Sequence, residues 1–320
     1  MHPRPAPLAA ALMLASALTL AAPADNLQAP LASAIEALAE GDYQRAYTRF
    51  KRHAKGNALA QFNLGLLEQN GWGRPANAEA ACGWFRQAAA GGIPTAQHFF
   101  GLCLAQGIGR AADVPAAIDW LKQAANGGHL LSLCTAGQWY IEGTGITQDI
   151  QQGLQLCAQA AGLGVPLAML ALGDHYRTGA AIPQNLGAAR YWYTQAAEHR
   201  SPEGQYQLGL MLSEGRGGDP DPASALLWME IAASEGYAPA YLPTAILYAN
   251  ADVQADTGML APEHLAKVYV WLMAAKARNG DAQLTAEIAR IETMVMAVMP
   301  ESWKPSLDQQ VAEHLARYHD

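Results

Sequence analysis

The glycine pair of Gly71-Trp72-Gly73 returns as Gly107-Ile108-Gly109, and Gly-x-Gly can open a phosphate-binding turn. Such loops follow a β-strand and, in the commonest kind, carry a lysine at fixed spacing; this chain offers neither. Acyl transfer of the β-lactam type needs a serine with a lysine three residues on. Ser132 is followed by Leu-Cys-Thr, Ser213 by Glu-Gly-Arg and Ser234 by Glu-Gly-Tyr. There is no G-x-S-x-G, no H-E-x-x-H, and no His/Cys cluster at zinc spacing. His98 and His175 fall where they can face a groove, yet each stands alone in the sequence. Carboxylate pairs of the glycosidase kind leave no mark along a chain. The expectation is therefore a protein that is not an enzyme, with no cofactor and no metal.

The glycines belong to a lattice of period 36. Apolar-Gly pairs stand at Leu64-Gly65, Phe100-Gly101, Ala136-Gly137, Leu172-Gly173 and Leu208-Gly209, with Thr244-Ala245 a degenerate sixth. Loop glycines follow at Gly71, Gly107, Gly143, Gly179 and Gly215, then Asn77, Asp113, Asp149, Asn185 and Asp221. Trp84, Trp120, Leu156, Trp192 and Trp228 come next, each shortly before an Ala-Ala pair. A closing glycine ends the units at Gly92, Gly128, Gly164 and Gly236, with Arg200 the exception. Each unit reads as two helices: the first stops at Gly-x-Gly, and the second starts on an Asn or Asp whose side chain accepts from orphan amides. The glycine inside the first helix costs ~1 kcal/mol against alanine. A close helix offsets that, and the Ala-Ala pair is the expected neighbour. The repeating tryptophans are expected in the core.

This framework, A-x-x-x-L-G…G-x-G…D…W-x-x-x-A-A…G, resembles the Sel1-like repeats, relatives of tetratricopeptide repeats. The resemblance covers about residues 58–280. It implies an all-α fold, an α/α superhelical solenoid of helix-turn-helix repeats whose concave face binds protein. Six repeats are expected (58–93, 94–129, 130–165, 166–201, 202–237 and 238–280). They lie between an N-terminal helical cap (25–57) and C-terminal capping helices (281–320). The sixth is stretched around NADVQADTGMLAPEH. In the last helix Leu307, Val311, Leu315 and Tyr318 form one stripe expected to close the array.

Cys82 and Cys103 lie equidistant from one helical turn, and Cys134 and Cys157 from another, so both pairs meet at matching heights. Two disulfides are expected, against the alternative of four buried thiols; the spacing does not follow that of cysteine-rich Sel1-like proteins. The first 24 residues read as a cleaved signal peptide. Arg4 precedes an uncharged run to Ala22 and an Ala-Pro-Ala site, and the run is shorter than the ~20 residues a membrane span needs. The expectation is export to the periplasm, with no membrane span after signal removal. A net charge of −8 argues against nucleic acid. One basic helix face, with Arg45, Arg49 and Arg52, is either solvated or docks an anionic partner.

The leading expectation is an exported, non-catalytic scaffold or regulator binding another protein. Its reading residues on the first helices are Asn63, Phe99, Thr135 and Gln207, then Gln69, Arg177 and Glu214, with Arg45 and Arg49 at the N-terminal end. The alternative is a binder of cell-wall glycan or exported polysaccharide, anionic polysaccharide included, with tryptophans as sugar platforms.

Overall fold

The computed structural model describes residues 29–251, 260–278 and 281–318. The signal-peptide reading, and most of the stretched segment in the sixth unit, lie outside the described residues. Among the described residues the chain is all-α, with sixteen α-helices in succession and no strand. It divides into two compact units, up to Ala168 and from Met169.

In the first unit, α1 (Ala32–Ala39) and α2 (Tyr43–His53) precede three hairpins. These are α3 (Ala58–Asn70) with α4 (Ala78–Ala90), α5 (Pro94–Gln106) with α6 (Val114–Asn126), and α7 (Leu131–Glu142) with α8 (Ile150–Gly162). α9 (Pro166–Thr178) spans the boundary. The second unit continues with α10 (Leu186–Glu198), α11 (Pro202–Glu214), α12 (Pro222–Ser234), α13 (Tyr241–Ala249) and α14 (Pro262–Arg278), then α15 (Ala282–Val298) and α16 (Lys304–Arg317).

The lattice residues act as punctuation. Asn77, Asp113, Asp149, Asn185 and Asp221 each cap a second helix, the side-chain oxygen accepting from the amide three residues on at 2.9–3.0 Å. The capping residue's own amide turns back and donates to the first helix. Asn77 donates to the Glu68 carbonyl, Asp113 to Leu104, Asp149 to Tyr140, Asn185 to Tyr176 and Asp221 to Leu212, at 2.8–2.9 Å. This bond recurs every 36 residues and sets the pitch of each hairpin. The loop glycines take the left-handed conformation that ends a helix, with φ between 66° and 69°. Arg200 takes the closing turn with φ 58°, the only non-glycine residue of positive φ among those described. The Ser201 amide still reaches the Ala196 carbonyl at 3.0 Å, as the Tyr237 amide reaches Ala232 in the next unit.

Two expectations about the interior need correction. The glycine in each first helix faces not the Ala-Ala pair but the residue after the tryptophan position. A Cβ on Gly65 would lie 2.4 Å from the Phe85 ring, one on Gly173 2.5 Å from Tyr193, and one on Gly209 2.7 Å from Met229. In the third hairpin backbones touch, the Gly153 carbonyl oxygen lying 2.5 Å from a Cβ on Gly137. Correspondingly Phe85, Leu121, Cys157, Tyr193 and Met229 are fully buried, whereas Trp84, Trp120, Trp192 and Trp228 are only half-buried. A step of one residue turns a helix face by ~100°, so the two rows cannot both point inward.

Both disulfides form, Cys82 with Cys103 and Cys134 with Cys157, tying α4 to α5 and α7 to α8. The closing helix behaves as its stripe implies, with Leu307 and Val311 buried and Leu315 packed on the core of α12–α15. The Tyr318 ring covers Gly236. α16 begins at Lys304, ahead of Pro305, because proline is tolerated in a first turn.

Candidate interaction surface

The first helices α3, α5 and α7 of one unit, and α9 and α11 of the other, carry the positions that the repeat framework leaves free. In the first unit these are Asn63, Leu66 and Gln69 on α3, Phe99 and Leu102 on α5, and Thr135 and Gln138 on α7. Gln69 is exposed, and Phe99 and Thr135 are half-buried. Phe99 stacks on Phe85 with ring centroids 4.9 Å apart and leans on Phe62, so one face of its ring already belongs to the core. Thr135 donates its hydroxyl to the Leu131 carbonyl. Asn63 is only 1% exposed, with Nδ2 donating to the Leu59 carbonyl and Oδ1 unpaired. It is an interior residue, and the expectation of a surface role there gives way to burial.

In the second unit Gln207 is half-buried and Glu214 exposed beside Arg216. Arg177 is held in a closed triangle: Nε donates to the Tyr193 hydroxyl at 2.9 Å, Nη2 to Asp174 Oδ1 at 2.8 Å, and Tyr193 donates to the same carboxylate at 2.8 Å. These two hydrogen bonds raise the Arg177 guanidinium above its ordinary range. Burial, and then the bond to Asp174, push the Tyr193 phenol up. The triangle therefore holds a cation in place at the end of α9.

Three cations of the basic α2 have partners among the described residues. Arg45 pairs with Glu40 and Asp42, and Arg49 donates to the Ser33 carbonyl at 2.6 Å. Lys51 sits over the Trp84 ring, 4.3 Å from its centroid. Of these, Arg45 alone meets carboxylates, so it has least to offer an anionic partner.

One cluster escaped the sequence. Ser132 is wholly buried, its Oγ lying 2.9 Å from His98 Nδ1 and 2.8 Å from His129 Nδ1, with the two rings 4.5 Å apart. The hydroxyl has one proton to give, so it can donate to only one of the two imidazoles, and their tautomers are coupled through it. Burial, then the neighbouring His129, lower His98 to about 4; burial lowers His129 too. A serine between two histidines suggests a nucleophile, but this hydroxyl is sealed from any substrate carbonyl. Its work is to join α5 to the start of α7. Among the described residues no group of three or more His, Cys, Asp or Glu side chains is placed to hold a metal ion.

The Sel1 repeat pattern matches residues 58–93, 94–129, 132–165, 166–201 and 202–237. The chain belongs to the Sel1 repeat family. A Sel1 repeat protein from Oxalobacter formigenes is 26% identical with a TM-score of 0.59, over 78% of this chain and 100% of that one. The protective antigen c5321 of uropathogenic Escherichia coli, which displays the same fold, is also 26% identical, with a TM-score of 0.53. That likeness covers 85% of this chain and 56% of the antigen. No curated protein matches the chain. Sel1 repeats are in general non-catalytic modules for protein–protein contact. The Sel1 match ends at residue 237; the hairpin of α13 and α14, expected as a sixth repeat, lies beyond it. There Trp271 is buried and stacks on Tyr241, unlike the half-buried tryptophans of the matched repeats.

The paired cysteines are the state expected of a chain kept in an oxidising compartment. Among the described residues no helix is long and apolar enough to cross a membrane.

Proposed function

We propose that this Sel1 protein is an exported, non-catalytic scaffold or regulator that binds a partner protein on its first helices, in the periplasm. The observation that carries the reading is the division of labour within each repeat. Caps, turn glycines and the buried row at 85, 121, 157, 193 and 229 are spent on the hairpin. Gln69, Phe99, Thr135, Gln207 and Glu214 differ from repeat to repeat and retain accessible surface on the first helices. A constant scaffold with changing side chains on its first helices is how repeat arrays acquire specificity. Arg177 is a further candidate on these helices, already held by Asp174 and Tyr193.

Affinity capture from the native cell envelope, with the wild-type chain and a Gln69→Ala/Phe99→Ala/Arg177→Ala variant as paired baits, tests this. A partner retained by the first and lost by the second supports the reading; equal retention rejects it. Amino-terminal sequencing of the exported form tests the compartment, the expected first residue being Asp25.

A second reading, binding of cell-wall glycan or exported polysaccharide, draws on the half-buried tryptophans and on Tyr191, which is 56% exposed and set edge-on to Trp192. Glycan titration should then quench tryptophan fluorescence, and unchanged emission rejects it.

A further inference from the structure

The two disulfides differ in what surrounds them. Cys157 is wholly buried, its Sγ against the Cys134 carbonyl inside the α7–α8 hairpin, while Cys134 keeps 5% of its surface. Cys82 and Cys103 keep 8% and 7% of their surface, and they line a cleft of about 170 Å³. Its other walls are Glu79 and Arg86 on α4, Phe100 on α5, and Gly109 and Arg110 in the loop after α5. Arg86 follows Cys82 by one helical turn and so shares its face. Among the described residues neither Arg86 nor Arg110 forms an ion pair, and both are exposed. Two free guanidinium charges stand against the single carboxylate of Glu79, so the mouth is positive although the chain as a whole is acidic.

We propose that the Cys82–Cys103 disulfide is a site of reversible thiol exchange, and that its cationic mouth selects anionic low-molecular-weight thiols. This stands independently of the partner-binding reading. The reagent's thiolate forms an S–S bond to one cysteine sulfur. The Cys82–Cys103 bond breaks, and its electron pair stays on the other sulfur as a thiolate, which takes a proton from water. Attack by that cysteine on the mixed disulfide restores the protein's bridge and expels the reagent. Attack by a second reagent thiolate instead releases the reagent's own disulfide and leaves both cysteines reduced. Arg86 and Arg110 act twice, raising the local concentration of the incoming anion and stabilising the departing thiolate. Opening the bridge removes the covalent tie between α4 and α5, which keep a shared apolar core with Phe85, Phe100 and Leu104, and the adduct leaves a new anionic group at this joint between the first two repeats. The α7–α8 bridge, enclosed on its Cys157 side, reacts more slowly under the same exposure.

The test treats the purified full chain with 2-mercaptoethanesulfonate or with neutral 2-mercaptoethanol, quenches with N-ethylmaleimide, and locates adducts by peptide mass spectrometry. Adducts should appear at Cys82 or Cys103 at least about tenfold faster than at Cys134 or Cys157, following access. The rate advantage of the anionic reagent should fall severalfold in an Arg86→Gln/Arg110→Gln variant, and in the native chain at about 0.5 M salt. Equal rates at the two disulfides overturn the proposal of a privileged site. A reagent ratio indifferent both to salt and to the arginines overturns the role of the cationic mouth.

Discussion

At the scale of single residues, the buried face opposite each first-helix glycine decides what may change. Gly137 and Gly83 make a matched pair, both within helices. A Cβ on Gly137 would press on the Gly153 carbonyl, which is backbone and cannot rotate away, whereas nothing lies within 4 Å of a Cβ on Gly83. Gly137→Ala should therefore cost about 1–3 kcal/mol by overpacking. Gly83→Ala should gain up to ~1 kcal/mol from helix propensity and a less flexible unfolded chain. Urea melts of the two variants should shift in opposite directions. His98 gives a pH-dependence whose sign follows from burial. Unfolded, its imidazole takes a proton near 6.5; folded, it stays neutral until about 4. The unfolded chain thus binds that proton first. Stability should be full above about pH 6.5 and decline towards pH 4, by on the order of 3 kcal/mol. The slope of melting temperature against pH should flatten in His98→Gln; a slope as steep as in the native chain would count against the Ser132 cluster. The sequence showed the interior glycines but named the wrong neighbour for them, because a helical period tells which residues share a face and not which face meets which. The His98–Ser132–His129 contact joins two histidines of one repeat to a serine of the next, and repetition carries no record of such a cluster.

At the scale of helices and turns, nearly everything was legible, since caps and left-handed stops are local chemistry repeated at fixed spacing. Asp113 accepts from the Ala116 amide at 3.0 Å, and Asp113→Ala should cost ~1 kcal/mol, read by chemical denaturation. Arg200 was visible only as a gap in the glycine column. The structure shows that the gap is in residue type alone, since the backbone there keeps a positive φ of 58°. A side chain in that region costs roughly 1–2 kcal/mol, so Arg200→Gly should raise the melting temperature. An unchanged or lower value would mean that the arginine side chain repays its own strain. The cysteine pairs were readable for a related reason: residues equidistant from a hairpin turn must stand side by side. The half-exposure of the repeating tryptophans was not readable, because their neighbours one position later are equally apolar and only packing decides which row goes inside.

At the scale of the whole chain, folding and recognition separate. The framework that recurs every 36 residues makes hairpins that stack, while the free positions of the first helices hold what is particular to this protein. Sequence alone could place those positions on the first helices, yet it could not tell that Asn63 sinks into the interior while Gln69 and Glu214 remain outside. Fold and binding should then respond independently. Substitutions at Gln69, Phe99 and Arg177 should abolish partner capture with a far-ultraviolet circular dichroism spectrum like that of the native chain. The most direct measurement is the affinity of the captured partner for three chains: native, first-helix variant, and a Tyr191→Ala/Leu227→Ala variant of the exposed second-helix positions. The account predicts weakening of at least about tenfold in the first-helix variant alone. Full affinity in that variant, with loss in the second-helix variant, would contradict it.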